Sequence, residues 1–227
     1  MNAHATTVES LGRGSVLSPL GPANGTDPLP FPAGVPWGKL MMWLFLCSDA
    51  MSFGALIAAY AAYRYMDPAW PNPQDILGIN LTALMTFVLI VSSVTMVKAL
   101  ASIQKGDQKG IVKFMALTIL GGLFFLGCQA YEWHHLITSP VHDPAKYPFF
   151  SEGMIFHKHA FAGTFYILTG FHGLHVTGGV IYNSIILLLA KKGKYSAERY
   201  DQVEIAGLYW HFVDLVWILI FTFVYLI

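Results

Sequence analysis

The sequence predicts an all-α membrane protein, a bundle of five transmembrane helices. Its 227 residues are 55% hydrophobic and only 11% charged. A water-soluble fold of this composition would expose large apolar patches. Five apolar runs are each long enough to cross a hydrocarbon layer of roughly 30 Å. Basic residues are concentrated in two of the connections between these runs.

The first 36 residues differ in composition from the rest of the chain. They are rich in Gly, Pro, Ser, Thr and Asn and contain no long apolar run. Such a segment cannot bury enough apolar surface to fold alone, and it lacks the apolar core of a signal peptide. We therefore expect residues 1–36 to form a flexible, uncleaved extension, followed by one membrane domain over residues 37–227.

The apolar runs place the five membrane helices. The first run contains a single charge, Asp49, while Ile79 to Val97 and Phe114 to Tyr131 contain none. The fourth run, Ala160 to Ala190, is free of Asp, Glu, Lys and Arg over 31 residues. As one helix it would measure about 46 Å, so it must tilt or project from the membrane. The predicted helices are about 39–64, 78–102, 110–137, 158–191 and 202–227.

The connections indicate how the bundle is oriented. "SIQKGDQKG" and "KKGKYSAERYDQ" are short and basic, whereas "DPAWPNPQD" and "TSPVHDPAKYPFFSEGMIFHK" are rich in proline. Cytoplasmic loops of membrane proteins collect Lys and Arg. We therefore expect the basic loops inside the cell, with the N-terminus cytoplasmic and the C-terminus on the outer, periplasmic side.

Composition also argues against several classes of partner and chemistry. The formal net charge is zero, and no basic patch carries interleaved aromatic residues, so nucleic acid is not expected as a partner. Cys47 and Cys128 fall inside apolar runs with a spacing that matches no zinc or redox motif. We interpret both cysteines as small core residues.

Asp49 requires an explanation because it lies inside an apolar helix. It follows Lys39 by ten residues, or about 15 Å of helix, which places it near the middle of the membrane. An ionisable side chain there costs about 2.5 to 3.5 kcal/mol on insertion scales, so it should face the bundle interior and have a partner. Asp49 is either a proton-binding carboxyl or a hydrogen bond that locks two helices.

The third predicted helix carries a second polar group, in "QAYEWHHL". Gln129, Glu132 and His135 stand at positions i, i+3 and i+6, so neighbouring members share one helix face. The group lies near the outer end of the helix. We interpret it as a network at a helix interface or helix end.

The last two helices contain histidines in mid-membrane. In "TGFHGLHVTGG", His172 and His175 are flanked by glycines that favour close helix packing. In "YWHFVDLVW", His211 stands three residues before Asp214, so the carboxylate could orient the ring and fix its tautomer. Together with Asp49, these two pairs fall at comparable depths and could form one polar layer.

The histidines alone do not predict a metal centre. Three mid-membrane imidazoles could ligate one haem, but the glycine-rich surroundings suit tight packing better than a wide cofactor cavity. The sequence also contains no "CxxCH" attachment motif. We therefore expect no metal ion and no cofactor in this chain.

Four stretches resemble cytochrome c oxidase subunit III. They are "TGFHGLHVTGGVIYN" and "GLYWHFVDLVWILIFTFVYLI", supported by "FLCSDAMSFGALIAAYAAY" and "LGCQAYEWHH". The similarity runs from about residue 38 to residue 227. One position differs in kind, because the family's carbodiimide-reactive acid is usually Glu and is Asp here. Asp49 stands at that carbodiimide-reactive position. The positions that match the family's buried polar residues directly are Glu132, His172, His175, His211 and Asp214.

The resemblance implies an accessory, non-catalytic subunit of an aerobic haem-copper terminal oxidase, which reduces dioxygen to water and translocates protons. Haem and copper would belong to the partner catalytic subunit I, and this chain would hold no redox centre. It would pack on subunit I beside other oxidase subunits, bind membrane phospholipid and support proton uptake. The expected location is the bacterial inner membrane, and membership of a larger respiratory supercomplex is left open.

The chain departs from the longest members of that family. Those members have two additional N-terminal spans, which residues 1–36 are not expected to replace, because they contain no apolar run of about 20 residues. Three alternatives remain open. The chain could serve a quinol oxidase or a nitric oxide reductase, act as a small independent transporter whose polar layer lines a pathway, or be a haem-bearing electron-transfer protein.

Overall fold

The computed structural model describes residues 37–139 and 146–227. The predicted extension 1–36 and part of the loop between the third and fourth membrane helices lie outside the described residues. Within the described residues the regular structure is helical, apart from one isolated antiparallel bridge between Ser196 and Arg199. The helices are α1 (Trp37–Met66), α2 (Pro73–Ile76), α3 (Ile79–Gln104), α4 (Gln108–Thr138), α5 (Ala160–Lys191) and α6 (Asp201–Ile220).

Five helices confirm the predicted all-α membrane architecture. α1, α3, α4, α5 and α6 with its C-terminal continuation are each long and apolar enough to cross a membrane. Their bounds lie within two residues of the predicted ones. The structure adds two short elements that the sequence did not predict, namely α2 and a 3-10 turn at Pro148–Phe150.

The helix ends follow from local side chains. Asp107 caps α4, because its carboxylate accepts hydrogen bonds from the backbone N–H groups of Lys109 and Gly110 at 3.1 and 3.0 Å. Gly106, with φ of 76°, supplies the left-handed residue of the turn before this cap. His159 caps α5 by accepting a hydrogen bond from the N–H of Phe161 at 3.1 Å.

The four helices α3 to α6 pack together, and α1 lies at their edge against α5 and α6. Four residues of α1 are buried, Leu46, Asp49, Phe53 and Tyr60. In the 18-residue stretch of α1 that would span the membrane, 17% is buried inside the bundle, against 44% in the corresponding stretch of the last helix. Much of the apolar surface of α1 is therefore available to lipid or to another chain.

Glycines bring the helices close together, as the glycine-rich stretch predicted. A Cβ atom added to Gly122 of α4 would lie 2.6 Å from the Trp210 ring of α6. One added to Gly179 of α5 would lie 2.8 Å from the same ring. The Trp210 side chain thus fits between two helices at positions where only glycine leaves room.

The last membrane helix extends to Leu226, and its final part, Phe221–Leu226, is a π-helical segment in which Val224 and Tyr225 are buried. The expectation that both cysteines are core residues is wrong for Cys47. Cys47 is exposed and Cys128 is half-buried, so neither is a fully buried core residue. An apolar run in a membrane helix does not distinguish a face toward the bundle from a face toward lipid, since both are apolar.

Candidate functional site: buried polar contacts between helices

Asp49 of α1 meets His175 of α5. Its Oδ1 lies 3.1 Å from Nε2 of the imidazole, and both side chains are largely buried. The other imidazole nitrogen, Nδ1, lies 2.8 Å from the backbone carbonyl oxygen of Phe171, one turn earlier in α5. The ring of Phe53 packs 5.1 Å from the His175 ring and screens the contact.

The geometry fixes how many protons this contact holds. A carbonyl oxygen only accepts, so Nδ1 of His175 must carry a hydrogen and donate it to Phe171. The short approach of Nε2 to Asp49 then requires one proton between the two atoms. That proton resides either on the nitrogen, giving an imidazolium and a carboxylate, or on the oxygen, giving two neutral groups. In both states the pair has no net charge and one shared proton.

His172 lies in a different environment, although it is only three residues from His175. It is fully buried, and among the described residues neither of its ring nitrogens has a hydrogen-bond partner. Its ring lies 4.8 Å from that of Trp217, at an interplanar angle of 31°, and 5.5 Å from the Phe125 ring. His172 is therefore held by aromatic packing.

His211 and Asp214 do not form the predicted pair. Nδ1 of His211 lies 2.5 Å from the Ser93 hydroxyl of α3, while Oδ1 of Asp214 has no hydrogen-bond partner among the described residues. The spacing i, i+3 allowed the pair, but a hydroxyl on the neighbouring helix competed for the ring.

The expected single polar layer is thus present only in part. Asp49 and His175 are joined directly, and the Tyr209 hydroxyl of α6 donates to the backbone carbonyl of His175 at 3.0 Å. His172 and His211 have separate partners. The polar residues form several contacts between pairs of helices and do not converge on one centre.

A row of hydrogen bonds joins α3 to the last helix, and sequence reasoning missed it. The indole N–H of Trp210 donates to the Ser92 hydroxyl at 3.1 Å, and that of Trp217 donates to the Thr86 hydroxyl at 2.8 Å. Both indoles are almost fully buried. The available signal was their position inside an apolar run, because a buried Trp needs an acceptor. We call these contacts the α3–α6 seam.

Glu132 lies beyond the seam, toward the α2 end of the bundle. Its Oε2 accepts from the Tyr225 hydroxyl at 2.9 Å, and its Oε1 lies 3.1 Å from the Thr82 hydroxyl. Gln129, one turn earlier, donates to the backbone carbonyl of Thr169 in α5 at 2.7 Å. The polar face of α4 predicted from the sequence therefore bonds to three neighbouring segments.

Ion pairs outside the membrane helices tie the connecting segments together. Asp75 of α2 accepts from the ammonium of Lys146 at 2.7 Å and from the Tyr147 hydroxyl at 2.8 Å. The hydrogen bond from Lys146 has the larger effect and that from Tyr147 the smaller, and both lower the pKa of Asp75 below its ordinary value. The same contact with Asp75 raises the pKa of Lys146. Nε2 of His159 lies 3.1 Å from Oδ2 of Asp67, which joins the start of α5 to the segment after α1.

The buried groups define a class of protein. Within residues 37–139 and 146–227, no group of three or more His, Cys, Asp or Glu side chains could hold a metal ion. The polar side chains instead bond one helix to another, and one pair holds a proton. These features describe a multi-pass α-helical membrane protein with interhelical polar contacts.

Comparison with known proteins identifies the family. The family model described as cytochrome c oxidase subunit III matches residues 23–227. Cytochrome c oxidase subunit 3 of Synechocystis sp. is 39% identical over 188 residues, which cover 81% of this chain and 73% of that protein. Quinol oxidase subunit 3 of Bacillus subtilis is 34% identical over 187 residues, covering 82% and 85% of the two chains.

A third relative, the probable cytochrome c oxidase subunit 3 of Mycobacterium leprae, is 36% identical over 185 residues, covering 81% of this chain and 85% of that protein. The chain belongs to the cytochrome c oxidase subunit III family. It is an accessory subunit of a haem-copper terminal oxidase. The resemblance inferred from the sequence motifs is confirmed.

Proposed function

We propose that this chain is a non-catalytic subunit that stabilises the catalytic subunit of an oxidase reducing dioxygen to water with proton translocation. Haem and copper would reside in catalytic subunit I, and this chain would hold no redox centre. The observation that carries this proposal is the use of the buried polar residues, because several of them, including Asp49, Trp210 and Glu132, bond one helix to another. The exposed apolar face of α1 offers a surface on which another oxidase subunit could pack.

The Asp49–His175 pair supports a role in proton uptake. It holds one proton that can shift between two atoms 3.1 Å apart, and Oδ2 of Asp49 has no partner among the described residues. A buried group that binds a proton can supply or delay it for a neighbouring pathway. We assign this role to the pair. His172 joins α5 to α6 through ring packing with Trp217, and His211 joins α6 to α3 through the Ser93 hydroxyl.

Phospholipid binding is the third part of the proposal. A groove of about 430 Å³ lies between α1 and the π-helical segment, with Ile57 and Phe223 among its apolar walls. Arg64 lies in the last turn of α1 and donates from one nitrogen to the carbonyl oxygen of Ile227. Its second terminal nitrogen and the Tyr60 hydroxyl are buried without a partner among the described residues. A cation above apolar walls suits a phospholipid phosphate and its acyl chains.

We place the chain in a bacterial inner membrane, with the N-terminus cytoplasmic and the C-terminus outside. The loops after α3 and after α5, together with the helix ends that flank them, carry most of the described lysines. Five single crossings put these two loops at the same end of the bundle. The ion pair between Lys39 of α1 and Glu204 of α6, 2.6 Å long, joins helix starts at that end. The positive-inside rule makes this end cytoplasmic. The named relatives are bacterial proteins.

The electron donor has two candidates. Relatives carry the names of both cytochrome c oxidase and quinol oxidase subunits, at similar identity. The donor site lies in other subunits, so the reaction of the complex is either oxidation of cytochrome c or oxidation of a quinol. A nitric oxide reductase complex is a third possibility raised by the sequence motifs, and the named relatives are oxidase subunits.

Purification of the intact complex through a tag on this chain tests the proposal. In mild detergent, a catalytic subunit with haem and copper should copurify, and the complex should consume dioxygen with cytochrome c or with quinol. The chain separated from its partners should show no haem absorption. Copurification without any haem-containing subunit, or a haem spectrum in the separated chain, would overturn the assignment. Lipid phosphorus per complex should fall in Arg64→Gln and stay unchanged in the matched variant Lys39→Gln.

A further inference from the structure

A cavity connects the surface at the α2 end of the bundle with the buried Glu132. It has a volume of about 420 Å³ and lies between α4 and the segment formed by α2 and the start of α3. Asp75, Gly78 and His135 line it and are exposed to solvent. Glu132 also lines the cavity but is only 4% exposed. The carboxyl group is thus buried and still adjacent to a space that opens to the surface.

The hydrogen bonds around Glu132 have two complete arrangements. The Thr82 hydroxyl lies 3.1 Å from Oε1 of Glu132 and 3.1 Å from the backbone carbonyl oxygen of Gly78. A hydroxyl has one hydrogen, so it donates to only one of these oxygens at a time. If Glu132 is ionised, Thr82 donates to it. If Glu132 is protonated at Oε1, the acid donates to Thr82, and Thr82 donates to Gly78.

The titratable groups around Glu132 include no cation that would hold the carboxyl in its ionised form. The titratable groups near the carboxyl are Tyr225 of the π-helical segment, Tyr166 of α5 and Cys128 of α4. None of these is a cation. Burial opposes the charged carboxylate, while the hydroxyls of Tyr225 and Thr82 stabilise it.

The walls of the cavity carry the other titratable groups, Tyr131 and His135 on α4 and Asp75 on α2. The Asp75 carboxyl already accepts from the ammonium of Lys146. Within the described residues, no ion pair includes Glu132. The opposing effects of burial and hydrogen bonding therefore leave a carboxyl that can gain and lose a proton.

We propose that Glu132 is a proton-binding site that exchanges its proton through this cavity with the compartment at the α2 end. On release, the O–H bond at Oε1 breaks, the proton passes to water in the cavity, and the Thr82 hydrogen turns from Gly78 to Oε1. Binding reverses these steps, and no other reactant is consumed. The site is separate from the Asp49–His175 pair and does not depend on its role.

Infrared spectroscopy of the intact complex tests the proposal. A carboxylic acid C=O band that appears on acidification and shifts in deuterated water should be present in the unmodified complex and lost in Glu132→Gln. Asp75→Asn, a change in the same cavity, should retain the band. Loss of the band in Asp75→Asn alone, or a Glu132 that shows no protonated band at any accessible pH, would overturn the proposal.

Two further variants separate a proton site from a structural role. Tyr225→Phe removes the hydrogen bond to Oε2, so the C=O band should move to higher wavenumber with the complex still assembled. Gly78→Leu adds a side chain where a Cβ meets nothing within 4 Å, and it should slow deuterium exchange of the band. Gly54→Leu, equally unhindered on α1, should not. Unchanged band position in Tyr225→Phe, or equal exchange in both leucine variants, would contradict the cavity route.

Discussion

The α1 edge and the α3–α6 seam are both buried helix contacts, but they use different chemistry. At the α1 edge, an acid and an imidazole share a proton across 3.1 Å. Along the seam, the indoles of Trp210 and Trp217 donate to neutral hydroxyls of Ser92 and Thr86. The seam lies inside the bundle, while α1 buries few of its own residues.

The difference separates fastening from proton chemistry. Neutral donors and acceptors cost less free energy to bury than an ion pair. They therefore suit contacts whose only role is to keep two helices together. An ionisable pair in hydrocarbon is costly and is best explained by a function that uses its proton. The seam therefore fixes the bundle, and the α1 edge is the place to look for a functional defect that leaves the bundle intact.

The largest effect should come from filling the space beside Trp210. Gly122→Leu on α4 places a side chain where even a Cβ lies 2.6 Å from the indole. Overpacking of this kind costs about 3 kcal/mol. The Trp210 ring has little room to move away, because Gly179 of α5 lies against it as well. The amount of chain recovered with the complex should fall strongly. Gly127→Leu on the same helix, where a Cβ meets nothing within 4 Å, should assemble normally; equal losses would refute this account of the seam.

Removal of the acid at the α1 edge should have a smaller effect on assembly and a clear effect on function. Asp49→Ala leaves Nε2 of His175 unpaired and should lower stability by about 1 to 2 kcal/mol, the range measured for strong interhelical bonds. Thermal dissociation of the complex and the lifetime of its turnover measure the change. The haem spectrum should stay the same, since no haem ligand is involved.

A double-mutant cycle sharpens this prediction. If Asp49 and His175 act as one pair, Asp49→Ala combined with His175→Ala should cost less than the sum of the single changes. The cycle with His172→Ala should show little coupling, because His172 packs against Trp217 and does not bond to Asp49. Additive effects in the first cycle would remove the pair from the proton-uptake proposal.

A single hydrogen bond of the seam should contribute less. Trp217→Phe keeps most of the ring but loses the donor to the Thr86 hydroxyl, which itself still donates to the Thr82 carbonyl at 2.7 Å. We expect a loss of about 0.6 kcal/mol, the average for such bonds in membrane helices, seen as a lower dissociation temperature. Trp43→Phe changes an exposed ring on α1 and should leave that temperature unchanged.

The smallest effect concerns the exposed pair of Asp75 and Lys146. The lowered pKa of Asp75 means that its contribution is present above the ordinary value of 3.8 and is lost as pH falls through the lower folded value. The raised pKa of Lys146 means that its contribution is present below 10.5 and is lost as pH rises through the higher folded value. Asp75→Asn should flatten the acid side of a stability–pH curve, and Gln74→Glu nearby should not.

The sequence located the polar residues but did not assign their partners. Asp49 was expected to face the bundle and to have a partner, because an ionisable group in hydrocarbon requires one. The choice of His175 over His172 depends on helix rotation, since residues three apart point about 60° away from each other on a helix. The predicted His211–Asp214 pair failed for a related reason, because the imidazole contacts the Ser93 hydroxyl on another helix.

Five apolar runs, two basic loops and a few family motifs determined the helices, their number and the family of this protein, because membrane insertion is decided by local composition. The tertiary structure alone decided which side chains meet. It placed the carboxyl of Asp49 against His175, the indoles of α6 against α3, and Glu132 at the base of a cavity. Each of these contacts joins segments far apart in the chain, and their geometry depends on how the helices rotate and pack against glycine.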